Sequence, residues 1–357
     1  MSARFYPLRV AEIVPETADA NSIRFDVPEE LRDTFAFRAG QHLTLKAEIG
    51  GEDVRRNYSL CTAPDEGDWM VTVKRIADGL FSNWVGDNLR AGDSLEVLPP
   101  HGSFTTDFRV DRRRHLVGIA GGSGITPVMS LIRTLLKAEP ESHFTLLYGN
   151  RDSSSIIFLE QLASLKDRYM DRLELHHFLA EEEGEIDLFN GMLDRDRCDE
   201  ALEHLIGSPK EVDGWFICGP GPMMDSAESA LMARGIARER IHIERFTADR
   251  PPESLVRQMA ELESKAAGIL MSVTLDGRTR RVEFTKSNIL DSAREAGLPA
   301  PFACKAGVCA TCRARVTAGK VEMAARYGLT DDEVAAGYVL TCQSVPAGDG
   351  VAVDYDA

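Results

Sequence analysis

Cys304, Cys309, Cys312 and Cys342 follow the pattern C-x4-C-x2-C with a last cysteine 30 residues on, the first three inside the stretch PFACKAGVCATC. Three thiols must then leave one tight loop and meet a fourth that arrives from elsewhere. That is the spacing of a plant-type [2Fe–2S] site, in which four thiolates hold two irons. The loop between them is built from Ala303, Ala306, Gly307, Val308, Ala310 and Thr311, small enough for backbone N–H groups to turn toward sulfur. Zinc is the competing ligand, but zinc sites usually pair two short C-x2-4-C knuckles, and only one such knuckle is present.

The rest of the chain divides by rhythm. Residues 1–108 carry short β-type runs (SIRFDV, QHLTLKAEI, RRNYSLC, MVTVKRI, SLEVLP) separated by Gly, Pro and Asp, which predicts an antiparallel barrel. LFSNWVGDNLRAGD, after Gly79, reads as a helix spliced into it, with Ser82 and Asn83 near its start. Residues 109–248 alternate apolar runs with helical stripes: HLVGIA, HFTLLYG, LELHHFL, GWFICG and RIHIERF are the runs. Helices are expected after Thr126 and Pro127 and over 157–168, 191–206 and 221–234. Such alternation predicts a doubly wound parallel sheet. Residues 249–267 open on a Pro pair and are rich in charge, so a partly helical linker is expected before a cluster domain at 268–357.

Two glycine turns then fall on the carboxyl edge of that predicted sheet. VGIAGGSGITP places Gly121, Gly122 and Gly124 between a strand and a helix, and CGPGPMM puts Gly219 and Pro220 after the fourth strand. Small residues there let backbone N–H groups and a helix N-terminus approach a pyrophosphate. In the barrel, alternation sets Arg56 and Tyr58 of RRNYSL on one strand face, an aromatic beside a cation that suits a flat anionic cofactor. Each of these strings alone is weak, because glycine turns often only pack and a strand Tyr is often core.

Together they are not weak. Arg56–x–Tyr58–Ser59, Gly79–x–x–Ser82, GSGITP, CGP, the ERF of 244–246 and the terminal cysteines resemble, in that order and over nearly the whole chain, the ferredoxin–NADP reductase-like oxygenase reductases of bacteria. The resemblance implies an FAD barrel, a nicotinamide-binding α/β domain and a β-grasp α+β ferredoxin domain. It implies that Tyr58 stacks on the isoalloxazine, that Ser59 approaches flavin N5, and that Arg56 with Gly79 and Ser82 holds the FAD pyrophosphate. By the same resemblance Gly122, Gly124, Thr126, Gly219 and Pro220 meet the dinucleotide, Cys218 lies beside the nicotinamide, and Glu244 and Phe246 close the flavin pocket. The implied activity is an NAD(P)H-dependent oxidoreductase: a hydride's two electrons enter at the flavin and leave singly through the cluster to an oxygenase component. FMN in place of FAD, and a passive ferredoxin-type carrier without nicotinamide turnover, are the alternatives.

Charge and composition narrow the partners. The net charge is −16, which argues against nucleic acid, where a basic face is needed. It sits almost wholly in residues 1–267, since 268–357 hold 10 Lys and Arg against 11 Asp and Glu. Lys305, Arg313, Arg315, Lys320 and Arg326 form a local basic rim near the cluster loop, read either as solvated surface or as a docking face for an acidic partner. No apolar run reaches the ~18 residues of a membrane span and the N-terminus lacks a signal-peptide pattern, so a cytoplasmic protein is expected, with Cys61, Cys198 and Cys218 as free thiols. The eight histidines show no metal-ligand spacing and receive no role. LLYGNRDSSS sets Arg151 and the hydroxyls of Ser153, Ser154 and Ser155 where an adenosine ribose should lie, which favours the 2′-phosphate of NADPH; Asp152 among them keeps NADH as the alternative.

Overall fold

The structure is a computed structural model that describes residues 4–246 and 253–357. The first strands alternate buried and exposed side chains and so pair into a sheet with one wet face. They are β1 (Tyr6–Thr17), β2 (Ala20–Asp26), β3 (His42–Ile49), β4 (Glu52–Ser59), β5 (Trp69–Lys74) and β6 (Ser94–His101), in the order β4-β3-β6-β1-β2-β5. The β1·β2, β1·β6, β2·β5 and β3·β6 pairs run antiparallel. A bridge from Leu60, just past β4, to Val71 on β5 joins the two sheet edges and closes the barrel. Leu8, Ile23, Leu43, Val71 and Val97 fill its interior, and α1 (Leu80–Asn88) packs Phe81 and Val85 onto that core.

The doubly wound sheet follows as β7 (His115–Gly121), β8 (His143–Asn150), β9 (Leu173–Leu179), β10 (Gly214–Cys218) and β11 (Ile241–Glu244), ordered β11-β10-β7-β8-β9 with every neighbouring pair parallel. The crossovers carry α2 (Ile125–Ala138), α3 (Leu159–Arg168), α4 (Arg195–Ala201) and α5 (Gly221–Ala233). Strand order reverses between β7 and β10, so their carboxyl ends open the crevice where such sheets bind ligands. The sheet and the barrel belong to one compact unit, Tyr6–Val54 with Tyr58–Phe246. Ser130 Oγ donates to the Thr62 carbonyl at 2.6 Å, and Phe104 meets Phe216 edge-on at 5.4 Å.

The C-terminal unit has α6 (Glu253–Ala266), β12 (Leu270–Leu275), β13 (Arg278–Glu283), α7 (Ile289–Glu295), β14 (Arg313–Ala318), β15 (Val321–Met323), α8 (Asp331–Ala335), β16 (Tyr338–Leu340), β17 (Ser344–Pro346) and β18 (Ala352–Asp354). Its main sheet runs β13-β12-β18-β14-β16, with β12·β18 parallel and the β12·β13, β14·β18 and β14·β16 pairs antiparallel, and β15 and β17 form a small second sheet. α7, capped where the Asn288 carboxamide oxygen accepts from Asp291 N at 2.8 Å, lays Ile289, Leu290 and Ala293 on the core. That is the β-grasp arrangement.

One expectation needs revising here. Of the linker expected over 249–267, residues 249–252 lie outside the described residues. Most of the remainder is α6, which packs Met259, Leu262 and Ala266 against the core of the cluster domain. Its apolar stripe at helical spacing makes it part of that domain rather than a spacer, because burying the stripe outweighs leaving it in water. Among the described residues no helix is long and apolar enough to cross a membrane.

Candidate functional site

The cysteine loop is shaped before any metal enters. Lys305 and Ala310 adopt φ of 55° and 53°, a left-handed backbone that costs a residue with a Cβ about 1 kcal/mol or more. Those turns curl the chain so that Ala306 N donates to Cys304 Sγ at 3.3 Å and Cys304 N to Cys309 Sγ at 3.5 Å. N–H groups aimed at sulfur stabilise a thiolate cluster. Two residues outside the motif hold the loop: Gln343 Nε2 donates to the Lys305 carbonyl at 2.9 Å, and Gly328 N donates to Gly307 O at 2.8 Å, where a Cβ on Gly328 would stand 2.8 Å from the Val308 carbonyl oxygen.

Cys309, Cys312 and Cys342 are buried and Cys304 is partly so. Cys304 hydrogen-bonds with Cys309, and Cys342 with Cys312. The hydrogen bond from the neighbouring thiol, and then burial, push Cys304 and Cys342 well above the ordinary thiol range, so protons hold these crowded sulfurs until metal replaces them. No three His, Cys, Asp or Glu side chains among the described residues converge on a single-ion site. The four sulfurs lie as two pairs, and two thiolates for each of two irons is what a [2Fe–2S] cluster takes. The basic rim is less basic than its sequence suggests. Lys305 pairs with Asp291 at 2.7 Å, Arg326 with Asp331 at 3.2 Å, and Arg313 with Glu333.

At the sheet's switch point the two glycine turns touch each other. A Cβ on Gly124 would lie 2.1 Å from the Cys218 carbonyl oxygen, and one on Gly219 would lie 2.9 Å from Gly121 N. Gly124 is therefore required for backbone packing, whereas Gly122, at φ +51° with no heavy atom nearer than 3.9 Å to a would-be Cβ, is required for its conformation and opens on space. The buried Tyr148 hydroxyl, unsuspected from sequence, donates to Gly122 O at 3.0 Å and turns that carbonyl inward. Thr126 is buried and donates its hydroxyl to Ser123 O at 3.0 Å, so it braces the turn rather than offering that group to a ligand. Cys218 is fully enclosed, and burial first and Glu244 second raise its thiol well above the ordinary range; it can shape the site as a neutral thiol only.

On the barrel side, Ser59 at the end of β4 donates to Glu244 Oε2 at 2.9 Å across 185 residues of sequence. Tyr58 leans on Phe81, ring centroids 5.8 Å apart, and Phe246 packs on the apolar core two residues past β11. Arg56 lies two residues before Tyr58 on β4, its Nη1 donating to the Arg55 carbonyl at 2.8 Å. A Cβ on Gly79 would meet Ser82 Oγ at 2.4 Å, and Ser82 itself is buried, accepting from Ile76 N at 3.4 Å and donating to Gly79 O at 3.5 Å. Ser82 thus fastens the loop, and the first-turn N–H groups of α1 are the donors left for phosphate. The structure also brings in two histidines to which the sequence reading gave no role: His42 Nδ1 lies 3.5 Å from Glu244 Oε1, and His42 Nε2 lies 3.0 Å from His101 Nε2.

At the end of β8, Arg151 Nε meets Asp152 Oδ2 at 2.9 Å, with Glu181 at 3.9 Å. Asp152 also accepts from Ser154 Oγ at 2.7 Å and Ser155 N at 2.9 Å. The hydroxyl of Ser154 and then the Arg151 guanidinium draw its carboxyl down to about 2. Both of its oxygens are committed within the turn.

Comparison with known proteins assigns all three regions. The family model described as the oxidoreductase FAD-binding domain matches residues 7–106, the oxidoreductase NAD-binding domain 119–229, and the 2Fe-2S iron-sulfur cluster binding domain 273–347. The chain is 44% identical, over 99% of its length and 98% of the other's, to a subunit of the 1,2-phenylacetyl-CoA epoxidase of Escherichia coli (strain K12). It is 37% identical, over 98% of its length and 96% of the other's, to the ferredoxin reductase component of 3-ketosteroid-9-alpha-monooxygenase of Rhodococcus rhodochrous. Phthalate dioxygenase reductase shares the fold, with a TM-score of 0.59 at 23% identity over 98% of each chain. Flavin, nicotinamide and four-thiol cluster elements thus stand in one polypeptide in the order its relatives share, and the chain belongs to the ferredoxin–NADP reductase-like oxygenase reductases that carry a plant-type [2Fe–2S] domain.

Proposed function

We propose that this chain is the reductase of a multicomponent oxygenase, drawing on NADPH and delivering electrons to an oxygenase component of the phenylacetyl-CoA epoxidase kind. The observation that carries the reading is the joint presence of two pairs of thiols, three from the cluster loop and one from Cys342, and the Ser59–Glu244 contact beside the switch-point turns. A carrier without nicotinamide turnover needs only the first. Similarity at 44% along the whole chain supports the epoxidase-type acceptor over the steroid hydroxylase type at 37%. The proposed division is a flavin barrel over 1–108, a nicotinamide domain over 109–248 and a cluster domain from 268, with α6 joined to the last. A reducing cytoplasm suits three isolated buried thiols beside four cluster ligands.

Bound FAD accepts a hydride and gives up single electrons, which is the chemistry no side chain supplies. The protein positions. Tyr58 stacks on the ring system, Arg56 and the start of α1 by Gly79 and Ser82 hold the pyrophosphate, and Ser59 with Glu244 holds a proton at the reacting edge. Gly122, Gly219 and Pro220 line the dinucleotide crevice, with Gly124 and Thr126 as its braces and Cys218 and Phe246 as its walls. Cys304, Cys309, Cys312 and Cys342 hold the cluster. The test is anaerobic addition of NADPH to the purified holoprotein: bleaching of the flavin and cluster bands, followed by reoxidation on adding the oxygenase component, is expected, and no bleaching would leave only the carrier.

Tyr58→Ala is expected to weaken FAD retention by about 1 kcal/mol, the scale of one aromatic contact. Equilibrium dialysis against FAD measures it, and unchanged affinity removes Tyr58 from the flavin site.

For nicotinamide choice, the engagement of Asp152 in capping its own turn supports NADPH over a carboxylate contact with a free ribose 2′-OH. Arg151 is held through Nε, leaving its terminal nitrogens to meet a 2′-phosphate. Arg151→Ala is expected to raise KM for NADPH at least tenfold, a loss of about 1.5–3 kcal/mol, while KM for NADH changes little. A wild-type preference for NADH that survives the substitution assigns the site to NADH.

A further inference from the structure

Thr341, the residue before Cys342, turns two donors onto the carbonyl of another cluster thiol's residue. Its N–H donates to Cys312 O at 3.2 Å and its hydroxyl donates to the same atom at 2.9 Å, so both lone pairs of that oxygen are taken. A carbonyl can only accept. The Thr341 proton is therefore spent on Cys312, and Oγ1 meets its next neighbour as an acceptor. That neighbour is the Tyr355 hydroxyl, 2.8 Å away. The direction of the chain follows: Tyr355 donates to Thr341, and Thr341 donates to Cys312. Two O–H dipoles in series point their positive ends toward the backbone of one thiol pair, Cys312 with Cys342.

The fold fixes both ends of this chain. Thr341, Cys312 and Cys342 are buried. Tyr355 follows β18, the central strand of its sheet, and its N–H donates to Thr274 O at 3.0 Å, which prolongs the parallel pairing with β12. The half-buried ring packs on the core of the cluster domain while its hydroxyl reaches Thr341. Burial, opposed by the Thr341 bond, raises the phenol above its ordinary range, so Tyr355 stays a donor at working pH.

Such a chain acts on charge. Reduction of a [2Fe–2S] cluster adds one electron and no atom, so the reduced state is the more negative one. Positive dipole ends aimed at the residues that hold the cluster favour that state, and hydrogen bonding around a cluster is one of the levers on its potential. Donors in series also reinforce one another, so the Tyr355 O–H makes the Thr341 O–H a stronger donor. We propose that Tyr355 is a positioning residue for electron transfer: acting through Thr341 on Cys312, it raises the reduction potential of the cluster. The sequence motif does not contain it, since Tyr355 lies beyond the last cysteine and is brought back by the pairing of β18. The proposal rests on the reading of Cys312 and Cys342 as ligands.

A redox titration of the purified holoprotein, read by the EPR signal of the reduced cluster, tests it. Tyr355→Phe keeps the ring and removes only the hydroxyl. At the potential where the wild-type cluster is half reduced, the variant's ratio of reduced to oxidised cluster is expected to fall about threefold, a shift of ~30 mV at 59 mV for each tenfold change. Thr341→Val breaks the chain one link nearer and is expected to lower the ratio about tenfold. Thr341→Ser keeps the hydroxyl and is expected to match the wild type. A Tyr355→Phe midpoint equal to or above that of the wild type overturns the proposal. So does a fall in Thr341→Ser as large as in Thr341→Val, which would reduce the segment to packing. Should Tyr355→Phe lose iron, 3-fluorotyrosine placed at position 355 alone, a stronger O–H donor, is expected to raise the midpoint, and no rise overturns the proposal. Iron analysis judges the ligand reading separately: fewer than two irons per wild-type chain defeats that reading first, and the proposal with it.

Discussion

Cys312→Ser is expected to abolish the [2Fe–2S] cluster while the flavin stays bound and reducible. Cys312 is 2% exposed and paired with Cys342, so the replacement hydroxyl is confined where the thiolate was and no other sulfur can move in. An alkoxide is a hard, strongly basic ligand at a site meant for a soft one, and iron held by one thiolate of its pair is lost. The cluster region 273–347 shares no sequence with the flavin region 7–106, and each has its own core. Visible spectra should therefore lose the cluster bands and retain those of flavin, and NADPH should still bleach the latter without air. Metal binding also contributes to folding in small metal domains, so calorimetry should show the C-terminal unit unfolding earlier. A variant with full iron content refutes the ligand assignment, and loss of flavin in the same variant refutes the independence of the two units.

Gly124→Ala is expected to cost the N-terminal unit about 3 kcal/mol, the upper end for a methyl forced into a filled space. The obstruction is the Cys218 carbonyl oxygen, 2.1 Å from the new Cβ, with Gly219 N at 2.7 Å, and backbone at the end of the central strand β10 cannot swing aside as a side chain could. For a unit of this size that is a fall of ~6–12 °C in its unfolding temperature. Because the two turns form one floor at the switch point, NADPH affinity should fall with it. Gly122→Ala is the control: no atom stands in the way, so only left-handed strain of about 1–2 kcal/mol is expected. Equal Tm values for Gly124→Ala and wild type would show that the turns do not pack as described.

The readings that held are those whose physical cause lies within a short stretch of chain. C-x4-C-x2-C fits a cluster because three ligands come from one loop, and alternation with period 2 or 3.6 reports which side of a strand or helix is buried, so the barrel, the doubly wound sheet and the cluster domain were legible together with their order. Resemblance of RxYS, GSGITP and CGP to a family supplied cofactors that no single motif could.

Tertiary structure decided what depends on who meets whom. Gly122 and Gly124 read alike in sequence, yet one answers to its own φ and the other to a carbonyl 94 residues away. Thr126 and Ser82 turned inward because a buried hydroxyl must find a partner, and the nearest were carbonyls of their own turns. The basic rim was partly neutralised by Asp291, Asp331 and Glu333, and α6 left its role as linker because its apolar stripe found a core. His42 and His101 carry no local signal, being single histidines at strand ends. Only the pairing of β3 with β6, and the arrival of β11 beside β10, sets two imidazoles, a carboxylate and a hydroxyl in one row. Local sequence reports spacing and periodicity, whereas such a row is a matter of distances between strands, and those exist only once the sheets have closed.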